Sequence, residues 1–266
     1  MKLFKAIGAA AVQQLAYIGG LTVQLWSGMG ALPRILPLFG RRGRWLTAIK
    51  QMYAIGVQAL PMVAIVSACS GFILAIQSAS ELKRYGAMQL VINILVIAFM
   101  REMGPLLTAI VVSGRSGSAF SAEIGTMVVT EEIDALRTMA IDPVELVLAP
   151  KFVAAMLVVP CLAIMSSTFA ILAGGAFMLL SENMALPIFL KYAADAIVLH
   201  DVFVGMVKSL VFAIIIVQVG CMEGFRVTGG PEGVGRSATS AVVRSTFLVI
   251  FADLFITTMY YLLKRT

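Results

Sequence analysis

The chain has 266 residues, 60% of them hydrophobic and only 13% charged, with a mean hydropathy of +0.97. A soluble domain is about half apolar and a quarter charged, so this balance excludes an ordinary soluble protein and indicates a polytopic membrane protein. Lysine and arginine outnumber the acids 20 to 14; in a membrane chain that excess records topology rather than a nucleic-acid partner.

The N-terminus opens with Lys2 and Lys5 ahead of an apolar stretch that reaches Pro33. Gln13, Gln14, Gln24 and several glycines interrupt it, and it shows no clear cleavage site, so a cleaved signal is not expected. A weak span and a helix lying in the interface both fit, and the glutamines favour the interface. Arg34, Arg41, Arg42, Arg44 and Lys50 follow. A basic cluster beside a span is the mark of a cytoplasmic segment.

Three runs settle the membrane class. Gln51–Ser80 and Phe152–Ser181 are uncharged, and Tyr85–Gly114 is broken only by Arg101 and Glu102. Each meets the roughly 20 residues that a spanning helix needs. Five spans are expected, near 51–80, 87–112, 152–180, 202–222 and 245–263. Residues 81–85 form an outer turn, 114–151 and 223–244 are cytoplasmic, and 182–201 are outer with a short amphipathic piece around Leu186–Ile197. In this arrangement only Lys83, Arg84, Lys191, Lys264 and Arg265 fall outside, which supports an outer C-terminus. No internal repeat is evident. The expectation is one all-α domain: a segment 1–50, then a five-helix core over 51–263.

Four charges interrupt the spans: Arg101 and Glu102 in the second, Lys208 in the fourth and Asp253 in the fifth. Each costs about 2.5–3.5 kcal/mol near the bilayer centre on insertion scales, so it faces protein or a wet cavity. Two readings stand side by side. Glu102 pairs with Arg101 or Lys208 to fix packing, or the group lines a cavity for a charged or zwitterionic headgroup. Gly104–Pro105 follows at once and is expected to kink the helix.

Two motifs tempt toward other chemistry. Gly230–Ser237, GPEGVGRS, is one substitution from G-x-x-x-x-G-K-[ST], but Arg236 replaces the lysine and no strand precedes it. Its glycines are expected to shape a tight turn before the fifth span. Gly114–Gly117, GRSG, matches the G-x-S-G of intramembrane serine proteases, which makes Ser116 a candidate nucleophile. It would need a histidine partner, and His200 falls on the opposite face in this topology. Close helix packing by small residues is the simpler reading. Cys69, Cys161 and Cys221 lie far apart in apolar segments, so no disulfide framework or metal site is expected.

The polar insert Gly114–Pro143 holds Glu123, Glu131, Glu132, Asp134 and Asp142, with Glu145 just beyond. Thr130 can cap a helix whose first turn holds Glu131 and Glu132, favourably placed against the helix dipole. Ile133, Leu136 and Ala140 make an apolar stripe, Asp134 and Arg137 form an i,i+3 pair, and Asp142–Pro143 stops the helix. The expectation is an amphipathic helix of about three turns, over about 130–142. Anionic inner-leaflet lipid would repel its acidic flank. A groove on a partner protein suits it better.

Several of these stretches carry a resemblance. RExGP at Arg101–Pro105, GRSGSAxxAEIG at Gly114–Gly125, EEIDAL at Glu131–Leu136, the Asp142–Pro143 pair and TGGxEGVGRxxTxAVV at Thr228–Val243 resemble, in order, the MlaE family of ABC-transporter permeases. That family includes the bacterial Mla permease for outer-membrane lipid asymmetry, the YrbE permeases of Mce systems and the chloroplast TGD permease. The similarity covers about residues 45–263.

The resemblance implies a homodimer of five-span subunits with an N-terminal interfacial helix in a bacterial inner membrane. It implies phospholipid as substrate, a separate cytoplasmic ATPase of the MlaF type that carries the ATP and Mg, and a periplasmic MCE-domain partner of the MlaD type. In some systems a STAS protein, MlaB-like, binds the ATPase. The helix matching EEIDAL, with Glu131, Glu132, Ile133, Asp134, Leu136 and Arg137, corresponds to the coupling helix. Arg101, Glu102 and Lys208 match positions by the lipid cavity. No catalytic residue and no cofactor in this chain are expected. The other function classes are an intramembrane hydrolase using Ser116 and an ion-coupled secondary transporter using Glu102, Lys208 and Asp253.

Overall fold

The computed structural model describes residues 19–20 and 42–265. All of its regular elements are helical among the described residues, as the sequence predicts, and five are long and apolar enough to cross a membrane. We label them in chain order: α1, Leu46–Tyr85; α2, Met88–Val129; α4, Leu146–Ser181; α6, Leu199–Phe225; and α7, Gly230–Arg265. Two short helices, α3 (Glu132–Thr138) and α5 (Leu186–Ala196), lie between them. The expected interfacial helix falls outside the described residues, apart from helical Gly19–Gly20, which lies close enough to α6 that a Cβ on Gly20 would strike the Met222 side chain.

Three boundaries differ from expectation. The first span starts before Gln51, with residues 42–50 already helical. The second span does not end near Val112: α2 runs on for 42 residues in all, about 63 Å at 1.5 Å per residue, roughly twice the hydrocarbon thickness. The fifth helix begins at Gly230, so the expected loop of 223–244 shrinks to a few residues around Arg226–Gly229. In the last two cases serines, threonines and glycines suggest a loop. Here their hydroxyls fold back on the helix, Ser118 to the Gly114 carbonyl (2.6 Å) and Thr126 to that of Ala122 (2.9 Å), as short polar side chains can.

Close approach of small residues holds the bundle together. Ser67 and Ser166 hydroxyls meet at 2.6 Å between α1 and α4. One turn on, a Cβ at Gly71 would lie 2.2 Å from the Ala170 carbonyl oxygen. Between α2 and α6, a Cβ at Gly220 would lie 2.8 Å from the Gly117 carbonyl, so Gly117 of the GRSG stretch is a packing position. Helix α7 joins α2 through Ser113–Ser245 and Ser121–Ser237. Without a hydrophobic drive between helices in lipid, packing of this kind is what associates them. Aromatic and branched residues, among them Ile55, Phe120, Phe152 and Phe212, fill the core at one end. Ile92, Met178 and Phe189 do so at the other. The outer face of α7 stays bare, with Phe247, Phe251, Leu254 and Phe255 all more than half exposed.

Candidate functional site

The chain places its charges at two levels of the bundle, and α2 connects them. At the first level, α2 widens into a π-helical turn over Phe99–Met103 that carries Arg101 and Glu102. Such turns interrupt the regular ladder and recur at functional positions. Pro105 follows and brings no N–H. The Phe99 carbonyl instead accepts from the Gly104 N–H and from the Ser167 hydroxyl at 2.9 Å. Gly205 of α6 lies against the Met100 carbonyl, where a Cβ would sit at 2.2 Å. That close approach brings Lys208, about one turn further on, to Glu102.

The Lys208 ammonium donates to Glu102 Oε2, to Asp253 Oδ1 (2.8 Å) and to Thr257 Oγ1 (2.7 Å). Its three donors therefore have three acceptors, and the side chain is 1% exposed. The Thr257 hydroxyl in turn reaches Glu102 Oε1 at 2.9 Å and the Asp253 carbonyl at 2.8 Å. Of the two pairings left open by the sequence, Glu102 takes Lys208. Arg101 turns away, 3.9 Å from Asp201 Oδ1, with its guanidinium 5.7 Å from the centre of the Tyr260 ring. His200 lies beside the same tyrosine, its ring 5.4 Å from that of Tyr260.

Glu102 and Arg101 are about one-third exposed and present the accessible part of the cluster. Lys208 is internal: it holds the two carboxylates together and offers no free donor. Sequence reasoning grouped Asp253 with Glu102 and Lys208 only in the ion-coupled reading and did not pair it with Lys208, and it missed Thr257, Asp201 and Tyr260. The spacing of Asp253 and Thr257, one helical turn apart, is the signal that placed both on one face.

The second level is the acidic end. Helix α3 is two turns long rather than three. Thr130 closes α2, its hydroxyl on the Thr126 carbonyl at 3.0 Å, and Glu131 at φ 61° turns the chain into α3. Ala140, at φ 57°, lies beyond the end of α3 rather than on its apolar stripe. The Asp142 carboxylate accepts from the Val144 N–H at 2.9 Å, so it starts the following helix instead of stopping this one. Ile133 is buried and Leu136 half-buried, which anchors α3 to its own chain. The Asp134–Arg137 pair forms, at 3.1 Å. Glu131, Glu132, Asp134, Arg137, Met139 and Ile141 remain exposed. Deeper in, Lys151 holds Glu123 at 2.8 Å and Arg244 holds Glu223 at 2.7 Å.

The tempting motifs do not assemble. GPEGVGRS occupies the first turns of α7, and Arg236 pairs with Glu232 at 2.6 Å. Only Gly229 and Gly230, with φ of 86° and 73°, form the turn, so no loop is left to wrap a phosphate chain. Ser116 lies fifteen residues beyond Arg101 on α2, about 22 Å along the axis. His200 sits at the Arg101 level with Tyr260, so the two are not brought together.

Residues 48–259 match the family model of the permease MlaE. The chain belongs to the MlaE permease family. It is 40% identical over 220 residues to a probable ABC transporter permease protein of Synechocystis, covering 82% of this chain and 83% of that one. It is 35% identical over 213 residues to a probable ABC transporter permease protein of Rickettsia typhi, covering 80% and 82%. It is 34% identical over 244 residues to the Arabidopsis thaliana chloroplast protein trigalactosyldiacylglycerol 1, covering 91% and 68%. As an MlaE-family member with five membrane-crossing helices, the chain is a multi-pass ABC-type permease subunit. Both charged levels fall inside the matched region.

Proposed function

We propose that this chain is the permease subunit of an ATP-driven phospholipid transporter, acting as a homodimer in a bacterial inner membrane. A separate cytoplasmic ABC ATPase binds ATP and Mg and seats on the exposed acidic end around Glu131, Glu132 and Asp134. A periplasmic MCE-domain protein exchanges lipid at the opposite face, and a STAS protein attaches to the ATPase in some such systems. The observation that carries this reading is the family match over residues 48–259. The Arabidopsis relative bears the name of a lipid, trigalactosyldiacylglycerol, which favours a lipid as cargo.

The geometry suits the task. Helix α2 runs unbroken from the Arg101–Glu102 turn to the acidic end, with Ile133 pinning α3 beyond it. A push on α3 would move a rod whose π-helical turns, at Phe99–Met103 and Ser113–Gly117, are natural points of bending. The bare aromatic face of α7 suits a second copy of the chain, with a lipid cavity between the two. There the one-third-exposed Arg101 and Glu102 would meet a headgroup, while Lys208 and Thr257 hold Glu102 in place. Tagged protein purified from its native membrane should bring down an ATPase and an MCE-domain protein; recovery of neither would overturn the proposal. The secondary-transporter reading rests on the Glu102–Lys208–Asp253 network, and predicts transport driven by an ion gradient with no ATPase present.

A further inference from the structure

A polar pocket lies between α1 and α2, away from the Lys208 cluster. It encloses about 210 Å³ and is lined by Gln51, Gln58, Arg115, Ser116, Phe120 and Glu123, among others. Two π-helical turns face each other across it, Tyr53–Val57 on α1 and Ser113–Gly117 on α2. Arg115 spans the gap, donating to the Ala54 carbonyl at 2.7 Å and to Gln58 Oε1 at 2.6 Å. Neither acceptor is charged, and among the described residues no carboxylate pairs with this guanidinium. A guanidinium has five N–H donors, so most of them remain for a ligand.

Ser116 supplies the independent sign. Its side chain is 4% exposed, and its hydroxyl is buried with no hydrogen-bond partner among the protein atoms. A buried hydroxyl left unpaired costs free energy, and a native structure normally provides a partner. The one other charge lining the pocket, Glu123, is already matched by Lys151 at 2.8 Å, the lysine itself lying over the Phe120 ring. The pocket therefore carries one uncompensated positive charge beside one unfilled hydrogen-bonding position.

Its depth points to the source of the anion. Gly117 packs on Gly220, five residues before the end of α6 at Phe225. The 27 residues of α6 span about 40 Å, against a hydrocarbon core of about 30 Å. With α6 centred on the hydrocarbon, the pocket lies within a few ångströms of one boundary, next to the layer of lipid phosphates. We infer that Arg115 and Ser116 form a binding site for the phosphate of a membrane phospholipid, separate from the Lys208 cluster. The guanidinium and hydroxyl bind the phosphate oxygens, and Phe120 with Ile55 forms the apolar floor. The inference goes beyond the transport reading: such a site holds lipid whether or not the chain moves it.

The test uses the full-length protein, delipidated in detergent and titrated with dioleoylphosphatidylglycerol, with bound lipids counted by native mass spectrometry. Arg115→Gln should weaken one class of bound lipid roughly tenfold, and Ser116→Ala roughly threefold, as loss of a charge-assisted and a neutral hydrogen bond would do. Arg115 also braces α1, so if Arg115→Gln fails to give folded protein by thermal melting, Ser116→Ala decides alone. Lipid binding unchanged in Ser116→Ala overturns the site. A parallel arm adds excess inorganic phosphate. Undiminished lipid binding there supports the membrane source, whereas full displacement assigns the pocket to soluble phosphate and overturns the lipid claim.

Discussion

Replacing Lys208 with methionine keeps the bulk of the side chain and removes its charge. In the native bundle this ammonium is 1% exposed and bridges Glu102 and Asp253, so its one positive charge is shared between two carboxylates. Without it, two carboxylates from different helices lose their shared cation, and only the Thr257 hydroxyl still reaches Glu102. Removing one partner of a buried ion pair costs about 3–5 kcal/mol. Glu102 is 30% exposed and regains some hydration, which places the expected loss near the lower figure, about 3 kcal/mol. Reversible unfolding in detergent micelles or bicelles would measure it. The companion is the triple variant Lys208→Met, Glu102→Gln, Asp253→Asn, which leaves no unpaired charge. It should recover most of the loss, because neutral groups of similar shape replace a buried pair at little cost. A Lys208→Met variant within about 0.5 kcal/mol of wild type would refute the reasoning. So would a triple variant that is no more stable than Lys208→Met. The triple variant also separates the two roles of the cluster: if it folds but retains no lipid, the charges serve the cargo, and if it retains lipid normally, they serve packing alone.

Charge reversal at Glu131 and Glu132, both exposed, should release the ATPase in co-purification while leaving the melting temperature of the permease unchanged; an ATPase that stays bound removes α3 from the interface. Gly71→Ala should destabilise by about 1–3 kcal/mol, because the new Cβ would fall 2.2 Å from the backbone of Ala170. Gly235→Ala is the matched control: it meets open space on a helix and should be neutral or stabilise by about 0.5–1 kcal/mol. Equal melting temperatures for the two glycine variants would contradict the close packing of α1 on α4.

The spans were legible because each apolar run exceeds the length a bilayer requires, and nothing local competes with that signal. Their ends were not. Gly114, Gly117, Ser118 and Ser121 have the composition of a loop, yet on α2 Gly117 and Ser121 let Gly220 and Gly224 of α6 approach within backbone contact, and Ser121 meets Ser237 of α7. Composition cannot distinguish a glycine that turns a chain from one that admits a neighbour. Gly229 and Gly230 do the first, at positive φ, and Gly233 and Gly235 do not. The acidic helix was visible from Glu131 to Arg137, but its length depended on Ala140, whose positive φ no propensity would suggest. In the ion cluster, the four intramembrane charges were evident one by one. Which of them pair depends on how α6 and α7 are rotated, and that is set by contacts such as Gly205 on Met100, far apart in sequence. Ser116 was singled out for a catalytic motif. Its unpaired hydroxyl beside Arg115 is a property of facing π-helical turns that no pattern of residue types reveals.

The central claim is that ATP hydrolysis on a partner drives phospholipid movement through this chain, and reconstitution tests it most directly. The permease and its co-purifying ATPase would be placed in liposomes with a fluorescent phospholipid and an acceptor MCE-domain protein. Redistribution of the lipid would be followed with ATP and with a non-hydrolysable analogue. The account predicts lipid transfer that requires ATP hydrolysis and is lost in the Glu131→Lys, Glu132→Lys variant. Transfer at the same rate with the analogue, or transfer that follows an imposed ion gradient in the absence of the ATPase, would contradict it.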